Sequence, residues 1–188
     1  MDTNFEYQDK FQEELINGEV VEMFPHTSNH NRISGNILVL FWEYLQRNKR
    51  NVCEPFRNSE AVYLTETDHF LPDFMIVCDP DKVKSDGVHG APDLVVEVLS
   101  PSTAMNDRGR KMEVYGQCGV REYWIVSPGE KTVEQYIQDN GRLVLNDVYF
   151  VPPDYTPEKE LAGIAKEFRC SLFDDLAIRL EDIFLRVK

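Results

Sequence analysis

Asp73, Glu97 and Lys111 are the residues of this 188-residue chain whose types and settings point most directly to chemistry. Glu97 interrupts the apolar run Leu94-Val95-Val96-Glu97-Val98-Leu99, which reads as a strand buried on both faces. An ionised carboxylate in such a strand costs several kcal/mol unless it is paired or holds a metal. Side chains alternate along a strand, so Glu97 shares a face with Asp93, Val95 and Leu99, and Asp73 with Leu71, Met75 and Val77. If the two strands are neighbours, Asp73 and Glu97 meet across them and repel unless a divalent cation lies between. Hard cations such as Mg2+ take oxygen ligands, commonly a couple of carboxylates with water completing the shell. A bound cation lowers the pKa of water and neutralises charge developing on a phosphoryl oxygen. Asp107, Lys111 and Tyr115 follow at four-residue steps and share one helix face. Lys111 would there orient water or stabilise an anionic transition state beside the carboxylates. Tyr115, one turn on, is expected to pack in the core.

The elements that must position these groups follow from local pattern. Residues 6–16 read as a short polar helix ending at Asn17-Gly18, and residues 19–24 as a strand. Thr27 or Ser28 caps a helix to about Lys49, with Ile33, Ile37, Leu40, Phe41, Tyr44 and Leu45 at helical spacing. Residues 52–57 and 60–65 look like strands joined by Asn58-Ser59, and residues 70–78 like another with Pro72 near its start. A polar loop, 79–90, precedes the strand at 93–99. Pro101 stops that strand, Ser102 or Thr103 caps a helix to about Gln117, and Gly119 ends it. A second buried strand at 122–126 then makes a βαβ crossover. Residues 132–138 and 142–150 flank Asp139-Asn140-Gly141, a strong hairpin signal. The expected fold class is α/β: a mixed central sheet flanked by helices, with a peripheral β-hairpin at 132–150, in one domain spanning 1–188.

Composition narrows the classes of function. A net charge of −13 excludes a uniformly basic nucleic-acid-coating surface. Cations cluster locally at Arg47, Lys49, Arg50 and Arg57 and at Arg108, Arg110, Lys111 and Arg121, so a basic face is open. No run of 18 apolar residues suits a membrane span, and the acidic start lacks a signal-peptide layout. Cys53, Cys78, Cys118 and Cys170 form no CxxC pair, a pattern that suits reduced thiols in a cytoplasmic protein.

Several runs resemble a known family. Pro72-Asp73 on one strand and Glu97 on the next look like the PD-(D/E)xK nuclease superfamily, and more closely its Uma-two restriction endonucleases. The resemblance rests on Asn17-Gly18-Glu19, His30, Pro72-Asp73 and Val96-Glu97-Val98-Leu99-Ser100-Pro101-Ser102-Thr103. It continues through Asp107, Lys111 and Tyr115 to Gly119-Val120-Arg121-Glu122-Tyr123-Trp124-Ile125-Val126, so it spans roughly residues 8–185. It implies a restriction-endonuclease-like fold and a Mg2+-dependent endonuclease, with Mn2+ an alternative ion, hydrolysing DNA as a homodimer or higher homo-oligomer. Asp73 and Glu97 would be the metal ligands and Lys111 the catalytic cation. Glu19 or Glu22 would supply an outer carboxylate, and His30 would line the site mouth. The superfamily's usual lysine, two residues after the acid, is Leu99 here; Lys111 on the following helix is the candidate replacement.

Each of these residues also has a purely structural reading. Glu97 and Lys111 can form a buried ion pair without metal. Asp107 fits an early-helix acid favoured by the dipole, and Asp93 a strand mouth or turn cap. Ser100, Ser102 and Thr103 form a turn and cap. The rival function is therefore a nuclease-like fold retained as a binding or regulatory module.

Overall fold

The computed structural model describes residues 12–49, 52–58 and 60–188. Its centre is a six-stranded mixed sheet. The strands are β3 (Glu54–Arg57), β6 (Phe74–Val77), β9 (Leu94–Val98), β10 (Glu122–Ser127), β11 (Thr132–Asp139) and β12 (Arg142–Phe150), in the order β12-β11-β10-β9-β6-β3. β9 and β10 run parallel, as the crossover requires, and β6 runs antiparallel to β9. β11 and β12 make the expected hairpin around Asn140 (φ 48°) and Gly141 (φ 81°), whose left-handed backbone suits Asn-Gly.

Alternation along the central strands splits the core in two. Phe74, Ile76, Leu94, Val96 and Trp124 face α1 (Ser28–Arg47) and the C-terminal helical turn Leu180–Ile183. Met75, Val77, Val95, Tyr123 and Ile125 face α3 (Met112–Cys118) on the other side. Thr27 caps α1, accepting a hydrogen bond from the His30 amide at 3.3 Å. Ile33, Ile37, Phe41, Tyr44 and Leu45 are buried along α1, as their spacing predicts.

Elsewhere the chain departs from its local pattern. Residues 12–16, expected in a helix, form β1 (Gln12–Ile16), paired with β2 (Glu19–Met23) through Asn17 (φ 53°) and Gly18 (φ 80°); residues 6–11 lie outside the described residues. Asn-Gly here is a hairpin turn rather than a helix cap. The strand expected at 60–65 shortens to β4 (Val62–Tyr63), and the one at 70–78 divides into β5 (His69–Phe70) and β6 around Pro72. The polar stretch 79–90 holds β7 (Val83–Lys84) and β8 (Gly87–His89). These short strands join β1 and β2 in a second six-stranded sheet, β2-β1-β5-β4-β8-β7.

The expectation of four reduced thiols is also corrected: Cys53 and Cys78 are disulfide-bonded, and Cys118 and Cys170 are free. The pairing of Glu54 with Val77 places the two bonded residues one step further along, opposite each other across β3 and β6. Sequence spacing does not reveal such a cross-strand pair. Among the described residues, no helix is long and apolar enough to cross a membrane.

Candidate active site

The sheet register brings the two sequence-predicted acids together. Phe74 pairs with Val96, so the next step sets Asp73 opposite Glu97. The Val98 amide donates to Asp73 Oδ2 at 2.7 Å and fixes that carboxylate against β9. Both groups are buried, as are all five residues of β9.

Lys111 reaches the same place by an irregular helix. After the short α2 (Ala104–Asn106), residues Asp107–Lys111 form a π-helical turn whose Gly109 leaves helical geometry (φ −112°, ψ −106°). The turn is pinned on several sides. Tyr123 Oη donates to the Asp107 carbonyl at 2.9 Å, Arg110 forks onto Asp68 and Arg108 onto Glu134. Asp107 and Lys111 therefore turn toward Glu97 while both arginines pair with acids on other elements.

The Lys111 ammonium, only 1% exposed, lies 2.8 Å from Glu14 Oε1, 3.2 Å from Glu97 Oε1 and 3.4 Å from Asp107 Oδ1. Tyr115 packs in the core as expected, and its hydroxyl also donates to Glu97 Oε1 at 3.0 Å. Both hydrogen bonds to Glu97 thus land on one oxygen. Glu14 in turn accepts the Leu71 amide at 2.8 Å. One ammonium faces Glu14, Glu97 and Asp107, with Asp73 close by, so negative charge is in excess. Burial pushes the Glu97 carboxyl well above its ordinary pKa; Lys111 pulls it back, and Asp107, Asp73 and Glu14 push it further up. Burial likewise raises Asp107. Burial opposes the charge on Lys111, yet Glu97, Glu14 and Asp107 outweigh it and hold the ammonium well above its ordinary pKa.

Asp73, Glu97, Asp107 and Lys111 line a cleft of about 440 Å³, with Glu14 and Tyr115 packed behind them. It opens at the carboxyl ends of parallel β9 and β10, beside Leu99, Ser100, Ser127 and Pro128, where open α/β sheets bind ligands. His30 lies deeper than a mouth residue: it is buried, with Nε2 3.0 Å from Asp73 Oδ2. His26, absent from the sequence reading, stacks on His30 with its ring centroid 3.9 Å away. Burial and neighbouring His30 lower the His26 pKa against the pull of Asp73.

Two sequence expectations move. Glu19 and Glu22 are exposed on β2 and do not supply the extra carboxylate; Glu14 on β1 does. Alternation with buried Ile16 marks Glu14 as inward once the segment is known to be a strand. The signal for His26 is its four-residue spacing from His30 behind Pro25. The second basic cluster forms no open basic face: Arg108, Arg110 and Arg121 pair with Glu134, Asp68 and Asp93, and Lys111 is buried.

A buried Asp107 Oδ1 without a hydrogen bond, excess carboxylates and two adjacent imidazoles form a donor set that fits a divalent cation. Together the mixed sheet and the acidic cleft at its carboxyl edge define an α/β fold with a candidate metal centre. The Uma2 family, described as "Putative restriction endonuclease", matches residues 3–169, and the chain belongs to that family. Among its relatives is the Synechocystis protein slr1290, named as uncharacterized, 31% identical over 146 residues that cover 76% of this chain and 75% of that protein. A second, sll1609 from the same organism, is 28% identical over 127 residues, covering 65% and 70%. A crystal structure from Anabaena variabilis, described as "a putative nuclease belonging to DUF820", superposes with a TM-score of 0.65 at 17% identity. The match covers 92% of this chain and 89% of that one, and shows the shared fold.

Proposed function

We propose that residues 1–188 act as one metal-dependent endonuclease domain that hydrolyses DNA phosphodiester bonds, with Mg2+ or Mn2+ held by Asp73 and Glu97. The observation that carries this reading is the convergence of Asp73, Glu97 and Lys111 on one cleft, with more carboxylates than the single ammonium can neutralise. The cation, when bound, supplies Lewis acidity and neutralises charge on the phosphoryl oxygens. The rest falls to the chain. The Val98 amide holds Asp73, and Tyr115 and Lys111 hold Glu97 by one oxygen, leaving the other to the cleft. Lys111 keeps a positive charge at the cleft wall, where it stabilises the anion that develops at phosphorus. Glu14 and Asp107 fix that ammonium in place.

The two strands of a duplex are antiparallel, so one centre per strand calls for a two-fold pair, and a homodimer belongs to this proposal. A cytoplasmic location belongs to it as well; the Cys53–Cys78 bond, of a kind rare in that compartment, is the observation against it. The competing reading, a nuclease fold kept as a binding or regulatory module, is favoured by the commitment of Lys111 to three carboxylates.

Plasmid, single-stranded DNA and RNA incubated with Mg2+ or Mn2+ separate the two. The enzyme reading expects cleavage that falls roughly 100-fold or more in Asp73→Ala. Cleavage of equal strength in that variant would place the activity at another site or in a contaminant. No cleavage of any substrate would favour the binding module.

A further inference from the structure

Two histidines that the carboxylate mechanism does not use stand against Asp73. His30 Nε2 is 3.0 Å from Asp73 Oδ2, and His26 Nε2 is 3.9 Å from Asp73 Oδ1. The rings stack with planes 12° apart, and the candidate ligand atoms of His26, His30 and Asp73 all lie within 4.8 Å of one another. A simple ion pair does not account for this arrangement. Asp73 Oδ2 already accepts the Val98 amide where His30 approaches it, and at 3.9 Å His26 makes no hydrogen bond to the other oxygen. Two stacked imidazolium rings would also set charge against charge. By contrast, two ligand atoms that share an ion at about 2.1 Å each stand roughly 3 to 4 Å apart. The two His–Asp73 distances fall in that range.

The local chain presents both rings together. Pro25 restricts the backbone before His26, Thr27 caps α1, and the first helical turn brings His30 beneath it. His30 Nδ1 is buried with no hydrogen-bond partner, so no network satisfies both nitrogens of that ring. The His26 side chain is 21% exposed on the cleft wall, which leaves an ion a route in.

We propose that His26 and His30 join Asp73 as ligands of the divalent cation, giving the centre two imidazole nitrogens and a preference for a first-row transition dication such as Mn2+ over Mg2+. This rests on the metal-dependent reading above and goes beyond it in the ligand set and the class of ion. Imidazole suits first-row transition ions, whereas Mg2+ prefers oxygen ligands and gives up its waters reluctantly. Carboxylates alone discriminate little between the two; a pair of nitrogens does.

The test is calorimetric titration of Mn2+ alone and Mg2+ alone into the full chain, as wild type, His26→Ala, His30→Asn and Glu97→Ala. It is paired with the electron-spin-echo envelope of bound Mn2+, which carries nitrogen modulation when imidazole is coordinated. The wild type is expected to show that modulation and to bind Mn2+ roughly tenfold or more tighter than Mg2+. His26→Ala, at a partly exposed position, is expected to lose roughly tenfold or more in Mn2+ affinity while Mg2+ affinity stays nearly unchanged. A thermal melt of each variant separates ligand loss from unfolding. Mn2+ binding without nitrogen modulation, equal in wild type and both histidine variants but lost in Glu97→Ala, overturns the histidine ligands and leaves the carboxylate site standing. Binding of neither ion to the wild type overturns both.

Discussion

Glu122 and Glu97 are both buried carboxylates on neighbouring strands, and their partners separate a structural role from a chemical one. Glu122 accepts from Trp124 Nε1 at 2.5 Å, Gln135 Nε2 at 2.6 Å, and the Ser171 amide and hydroxyl at 2.6 and 2.5 Å. Its oxygens are satisfied, and the bonds tie the C-terminal segment to the sheet. Glu97 instead shares Lys111 with Glu14 and Asp107 and faces Asp73. Lys111→Met, which keeps bulk and removes the charge, is expected to cost about 3–5 kcal/mol in denaturant unfolding near neutral pH with chelator present. A cost below about 1 kcal/mol would mean that the carboxylates are already neutral without it. The raised pKa of Glu97 also has a definite sign in stability. A carboxyl with a folded pKa above its unfolded value holds its proton longer in the native state, so its contribution is fully present below the unfolded pKa. That contribution is lost as pH rises from there through the folded pKa. Raised Asp107 acts in the same direction. With chelator, the melting temperature is expected to fall as pH rises above the ordinary carboxyl range, and added Mn2+ to raise it more at the higher pH. A cation-induced shift independent of pH would contradict the charge excess.

At the scale of elements, the π-helical turn is the device that aims Lys111, and Asp68 is its outer anchor. Fully buried Asp68 accepts from Arg110, the Asn17 amide, Thr65 and Thr67, and so clamps the β1–β2 turn and the strand loop to the helix. Burial opposes its charge, but Arg110 and the Asn17, Thr65 and Thr67 donors hold its pKa far below the usual range. Asp68→Asn is expected to cost about 2 kcal/mol at neutral pH and to speed hydrogen exchange first in residues 12–23 and 107–111. Uniform protection across those segments in the variant would show that the anchor is dispensable. The contrast between readable and hidden elements has the same physical basis. The βαβ crossover and the Asn140-Gly141 hairpin were legible because periodicity and turn chemistry within a few residues determine them. β1 was not, since Glu14 faces inward only to meet Lys111, a partner 97 positions away that local pattern does not reveal. Cys53 and Cys78 are opposed only by sheet register, and His26 gains its place only through a ring stacked on the next helix. The acid pair Asp73 and Glu97 was readable because an apolar strand makes a lone carboxylate conspicuous.

For the whole molecule, a charge of −13 and an acidic cleft oppose the approach of a polyanion. The arginines of the second basic cluster, Arg108, Arg110 and Arg121, are paired with acids. Binding of DNA is therefore expected to depend on the divalent cation. Fluorescence anisotropy with labelled duplex should show affinity rising roughly tenfold or more when the chelator is replaced by Mn2+ at constant ionic strength. Equal affinity in both conditions would locate the contact away from the cleft. The central claim is that Asp73, Glu97 and Lys111 form one metal-dependent cutting centre, and nicking of supercoiled plasmid tests it most directly. Wild type, Asp73→Asn and Glu97→Gln, purified in parallel, are each assayed with Mn2+ and again with chelator. The predicted result is nicking by the wild type only with the cation, with roughly 100-fold or greater loss in both variants. Nicking that persists in chelator, or survives in both variants, would contradict it.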